Sequence, residues 1–141
     1  MDQKAIFAPV FAMILLTMIV WIYMYVRRIA FIQNNNLGPD ELAPLEFARI
    51  SPPHVANPSD NLKNLFEIPV LFYVVSLYLF ITEQVDLIYL TSAWAFFGLR
   101  VLHSAVHCTI NIVIVRFWIY FTATLIFWFM VGRAVVAYLF E

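Results

Sequence analysis

Arg100, His103 and His107 fall at i, i+3 and i+7 in an otherwise largely apolar run, and Asn111 continues the series. At 100° per residue the four lie within about 80° of arc if one helix carries them all, so they make a single polar stripe. Asn64 and Glu67 form a second pair three residues apart, and Arg116 and Tyr120 a third pair four apart. Guanidinium forks recognise carboxylates, Glu67 can accept an ammonium, and Asn64 can satisfy an amide. Such a set suits a zwitterionic, peptide-like ligand with several carboxylates. If that ligand carries a thiol, Arg116 or a protonated His favours the thiolate and raises its reactivity at neutral pH.

A metal is the competing chemistry, because His103, His107 and Glu67 could make a 2-His-1-carboxylate arrangement. Arg100, one turn from His103, would repel the cation, and the chain has no further His cluster, so no metal is expected. Cys108 is the single cysteine. It excludes an intramolecular disulfide and any multi-cysteine metal site, and reads as a small buried hydrophobe.

The elements that carry these residues must sit in a membrane. The chain has 141 residues, of which 64% are hydrophobic and 12% charged, with a mean hydropathy of +0.86. Soluble domains are about half apolar and a quarter charged, so no water-facing surface can be built from this composition. Eight Lys+Arg against nine Asp+Glu leaves no basic excess for nucleic acid. At about 20 apolar residues per span, one all-α domain over 1–141 is expected, a four-helix bundle with spans at about 6–26, 64–82, 87–108 and 116–138. Between the first two, residues 29–62 are rich in Asn, Gly and Pro and read as a long loop of repeated turns. Loops of that length are more often functional than idle. Arg27, Arg28, Arg49, Lys63 and Arg116 lie on the loop side and only Lys4 and Arg133 on the other. The loop is therefore expected in the cytoplasm and both termini opposite.

Charge inside a span costs at least about 2.5–3.5 kcal/mol unless it snorkels or is paired. Arg100 thus needs a partner, and Glu67 is the protein's candidate. Across the helix from the polar stripe lie Thr91, Ala95, Gly98 and Ala105, small residues that let helices approach closely. The third span is expected to pack on that side and present its stripe on the other. Arg27, Arg28 and Arg116 could instead be interfacial anchors, and Glu67 with Arg100 a purely structural pair.

The run Arg100-Val-Leu-His103-Ser-Ala-Val-His107, with Arg116 nine residues later and then Tyr120, resembles the membrane-associated proteins in eicosanoid and glutathione metabolism. Their prostaglandin E synthase and microsomal glutathione transferase branches carry Arg-x-x-His-x-x-x-Tyr and a distal Arg. Asn64-Leu-Phe-Glu67-Ile-Pro69 is similar to the family's Asn-x-x-Glu signature on the second helix. The resemblance implies a homotrimer of four-helix protomers with glutathione bound as co-substrate between subunits near the cytoplasmic face. Asn64, Glu67, Arg100, His103 and Tyr120 match its glutathione-contacting positions, with His107 beside them and Arg28 near a first-helix arginine. Arg116 matches the residue assigned to the thiolate. His107 in place of Tyr, Pro69 close after Glu67, and Phe117 in place of a hydroxyl resemble a less characterised bacterial branch, and so a bacterial inner membrane or an equivalent one. The activity implied is a transferase or peroxidase acting on a hydrophobic electrophile or lipid hydroperoxide from the bilayer. The alternative is a non-enzymatic lipid-binding or scaffold subunit of the same fold. Docking onto a larger membrane complex fits either reading.

Overall fold

A computed structural model describes residues 1–140. It is built from six helices: α1 (Phe7–Asn35), α2 (Pro44–Ile50), α3 (Pro53–Leu65), α4 (Ile68–Ile81), α5 (Leu87–Cys108) and α6 (Val113–Phe140), with 3₁₀ turns at Gln3–Ile6 and Pro39–Leu42. Three stretches are long and apolar enough to cross a membrane on length and composition: Gln3–Asn35, Pro53–Ile81 and Val113–Phe140. The segment expected as the third span is a helix, α5, at the expected bounds, but it is not among those three stretches.

Two expectations about the first half of the chain are corrected. First, α1 does not stop at Arg27-Arg28 but runs on to Asn35. Arginines can mark a membrane boundary without breaking a helix; 29 residues make roughly 43 Å against a hydrocarbon core of about 30 Å. The helix ends where Asn36 turns left-handed at φ 51 and the Leu37 N–H bonds the Ile32 carbonyl, a Schellman-type stop. Second, residues 29–62 are mostly helical. The prolines read as breakers are starters: Pro39, Pro44 and Pro53 each open a helical turn, where their missing N–H has no partner to lose. Pro58 lies inside α3 and is buried together with Val55, Asn61 and Leu65. Helix α3 packs on both α1 and α5, and the packing outweighs the lost helical bond.

The second span is likewise interrupted. Glu67 caps α4 at φ −96, ψ −109, and Pro69 lies in the first turn of α4, where its missing N–H has no helical partner to lose. The chain therefore kinks at the carboxylate that the sequence singles out.

The core has two storeys, visible along α5. Its buried face begins with Tyr89, Ala93 and Phe96 and continues with Arg100, His103, Ser104 and His107. In the apolar storey Phe96 packs between Phe72 of α4 and Phe127 of α6, with ring centroids 4.9 and 6.0 Å away. At that end the turn between α4 and α5 is tied down twice. The Gln3 side chain donates to the Val85 carbonyl (3.2 Å) and accepts from its N–H (2.8 Å). Asp86 caps α5 through the Tyr89 N–H (2.9 Å) and takes both arms of the Arg133 guanidinium from α6. The guanidinium lies 4.2 Å from the Tyr89 ring centroid. This pair holds the Asp86 carboxyl below the usual carboxylate range.

The packing of α5 reverses the expectation. The polar stripe is buried inside the protomer, whereas Thr91, Ala95, Gly98 and Ala105 are exposed. Desolvating four small residues gains little within one protomer. Burying Arg100 and His103 against α3 and α6 gives one nitrogen of each a carbonyl partner.

Candidate functional site

The polar storey sits where α3, α5 and α6 meet. Arg100 is fully buried, at 0% exposure. It donates from Nη2 to the Asn64 carbonyl (2.9 Å), and its guanidinium carbon lies 5.1 Å from the Tyr120 ring centroid. The expected Arg100–Glu67 ion pair is absent: among the described residues the ion pairs are Arg49–Glu46, Lys63–Asp60 and Arg133–Asp86. The kink turns Glu67 outward, where it is exposed and accepts a 3.4 Å bond from the Tyr120 hydroxyl. Arginine and carboxylate thus lie on either side of Tyr120, its ring over one and its hydroxyl on the other.

One turn on from Arg100, His103 Nδ1 donates to the Arg116 carbonyl (3.3 Å), which leaves Nε2 as the lone-pair nitrogen of a neutral ring. The His103 ring meets Tyr120 at 5.6 Å and His107 edge-on at 5.5 Å. Behind them Ser104 donates to the Asn61 side-chain oxygen (3.3 Å), and Asn61 donates to the Cys108 sulfur (3.5 Å). Arg100 Nε and Nη1, His103 Nε2 and His107 Nδ1 are buried without a partner among the described residues. An unmade bond at a buried polar atom costs about 1–3 kcal/mol. Four such nitrogens on one helix face is the feature a binding site explains and a structural core does not.

Asn64, His103, Arg116 and Tyr120, with Val113 and Phe117, line a cavity of about 220 Å³. Arg100, Glu67 and His107 do not line it but adjoin it, the first two through Tyr120 and the third through His103. Arg28 is not there. It lines a separate cavity of about 280 Å³ with Phe47, Asp60 and Lys63 among others, its guanidinium stacked 4.3 Å from the Phe47 ring centroid. Among the described residues no group of three or more His, Cys, Asp or Glu is placed to hold a metal ion.

The turn after α5 differs from expectation as well. The helix stops at Cys108, so Asn111 is not on the stripe; it adopts φ 45 in the connection to α6. Its side chain accepts from Arg116 Nη1 (2.8 Å) and donates to the Asn57 side-chain oxygen (3.1 Å). Asn57 and Asn61 are the polar residues that the sequence reading missed. Both stand in α3 on the side that meets α5, and a polar residue recurring among Val55, Pro58 and Leu65 was the available signal.

A bundle of long apolar helices with one buried polar storey is an integral membrane protein. The MAPEG family model matches residues 6–136, and the chain belongs to that family. No curated protein and no solved structure matches it.

Proposed function

We propose that this protein is a glutathione-dependent membrane transferase or peroxidase. The observation that carries the reading is the cavity in which Arg116, His103, Asn64 and Tyr120 converge, adjoining a buried Arg100 with two unpartnered nitrogens. Glutathione offers two carboxylates, an ammonium, two amides and a thiol. Arg100 and His103 suit its carboxylate and amide groups, Asn64 its peptide, and Glu67 its ammonium. Among the described residues Arg116 has no carboxylate partner within ion-pair distance, so its charge can stabilise the thiolate.

Two reactions follow from one thiolate. With an electrophile, sulfur bonds to the electrophilic carbon and the leaving group departs with the bonding pair. With a lipid hydroperoxide, sulfur attacks the terminal oxygen and the O–O bond breaks, giving the alcohol and a sulfenic acid. A second glutathione then converts the sulfenic acid to the disulfide and water. Phe117, 52% exposed at the cavity mouth, presents an apolar face suited to a co-substrate dissolved in lipid.

Four membrane-crossing helices and a homotrimer belong to the same proposal, with the loop side cytoplasmic as the Lys and Arg distribution argues. Arg28, remote from Arg116's cavity in one protomer, would meet glutathione bound to a neighbouring one. The test is calorimetric titration of the detergent-solubilised protein with glutathione. The intact protein should bind, and Arg116→Ala should retain weakened binding without the thiolate absorbance. No binding by the intact assembly would leave the fold as a lipid-binding or scaffold subunit.

A further inference from the structure

We infer that Asn111 is a positioning residue for Arg116, and that it is a carboxamide so that the guanidinium is oriented without being neutralised. The inference rests on the thiolate role proposed for Arg116, but its geometry stands alone. Asn111 is at φ 45, a left-handed conformation that Asn tolerates better than other residues with a Cβ. Its backbone N–H closes the end of α5 on the Val106 carbonyl (2.8 Å), which fixes the residue from which the side chain projects. Both ends of that side chain are used. Oδ1 accepts from Arg116 Nη1 at 2.8 Å, and Nδ2 donates to Asn57 Oδ1 at 3.1 Å. The chain α3–Asn57–Asn111–Arg116 therefore ties the guanidinium to the two elements that build the other walls of the cavity.

The choice of amide has an electrostatic consequence. An Asp here would accept the same bond from Arg116 and, with the Asn57 amide turned to donate, keep its anchor, but its charge would cancel the guanidinium's and repel an approaching thiolate. The titratable and charged groups around Arg116 are Arg100, His103 and His107 on α5, Asp60 on α3 and Tyr120 on its own helix, with Glu67 beyond the Tyr120 hydroxyl. A neutral acceptor at 111 adds no negative charge in contact with the Arg116 guanidinium.

Three variants separate orientation from charge. Asn111→Gly keeps the left-handed turn and removes the acceptor, Asn57→Ala removes the anchor, and Asn111→Asp keeps the acceptor and adds a charge. In ligand-free detergent-solubilised protein, nitrogen-15 NMR should show hindered rotation of the Arg116 guanidinium. That restraint should be lost in Asn111→Gly, loosened in Asn57→Ala and kept in Asn111→Asp. With glutathione added, ultraviolet titration should show the thiol held about tenfold less ionised at neutral pH in Asn111→Asp, a shift of about one pKa unit. A guanidinium equally restrained in Asn111→Gly overturns the positioning role, and an unchanged thiol titration in Asn111→Asp overturns the reason for the amide. If the native protein bound no glutathione, the thiolate reading of Arg116 and the reason for the amide would fall together, while the NMR comparison would still decide the positioning.

Discussion

Arg100 is the most expensive side chain in this protein to bury, and it is incompletely satisfied: one of its nitrogens bonds a carbonyl and two have no partner. If its purpose were stability, an apolar residue of similar length would serve better, since replacing buried ionic groups by packed hydrophobes is often neutral or stabilising by about 1–4 kcal/mol. Arg100→Met is therefore expected to unfold at the same temperature as the native protein or higher, while glutathione binding weakens tenfold or more. Thermal scans and titrations on one preparation check both halves, and a fall in melting temperature would make Arg100 structural. The residue types in the site were legible from the sequence, because ionisable groups in apolar helices are rare enough to stand out. Their partners were not. Helix-face arithmetic gives an azimuth for Arg100 and Glu67 but not the backbone break between Phe66 and Ile68, and that break sends Glu67 to Tyr120 instead of to the arginine.

At the scale of elements, α5 was read to its bounds and α6 to within a few residues because unbroken apolar runs leave one solution. Residues 29–62 were misread for a definite reason. Proline tells that a helix does not continue through a point, and equally that one starts there; Pro44 and Pro53 are of the second kind. The elements are fixed to one another chiefly at the end away from the site, where Asp86 joins the α4–α5 turn to α6 through Arg133. Because the native pKa of Asp86 lies below its unfolded value, the stability it contributes is fully present above about pH 4, the ordinary carboxyl range, and is lost as pH falls through the native pKa. The pair is partly exposed, so the effect is small. Asp86→Asn should lower the melting temperature modestly at neutral pH, and the gap should close as both proteins are acidified. A gap constant with pH would mean that Asn fails as the α5 cap, and not that the ion pair is lost.

At the scale of the whole molecule, Glu67 is exposed at the head of α4. Helix α4 has 14 residues, about 21 Å at 1.5 Å each, which is shorter than a hydrocarbon core of about 30 Å. If the Glu83 turn marks one membrane boundary, the near end of α4 and Glu67 would lie at hydrocarbon depth, where an exposed carboxylate costs about 2.5–3.5 kcal/mol or more. That face must be covered, and the residues that continue it along α4, Leu71, Val74 and Ile81, are all exposed. A second and third copy of the chain would cover it and bring Arg28 of one protomer toward the Arg116 cavity of the next. Val74→Lys places a charge on this face two turns from Glu67, remote from every cavity-lining residue around Arg116. Chemical cross-linking in detergent should then shift from trimer to monomer with helix content unchanged. Glutathione binding should fall with it, although Arg116, His103 and Asn64 are untouched, if the site is completed between copies as proposed. If Val74→Lys stays trimeric, the α4 face is not the interface; if it becomes monomeric and binds glutathione as the native protein does, each protomer carries a complete site.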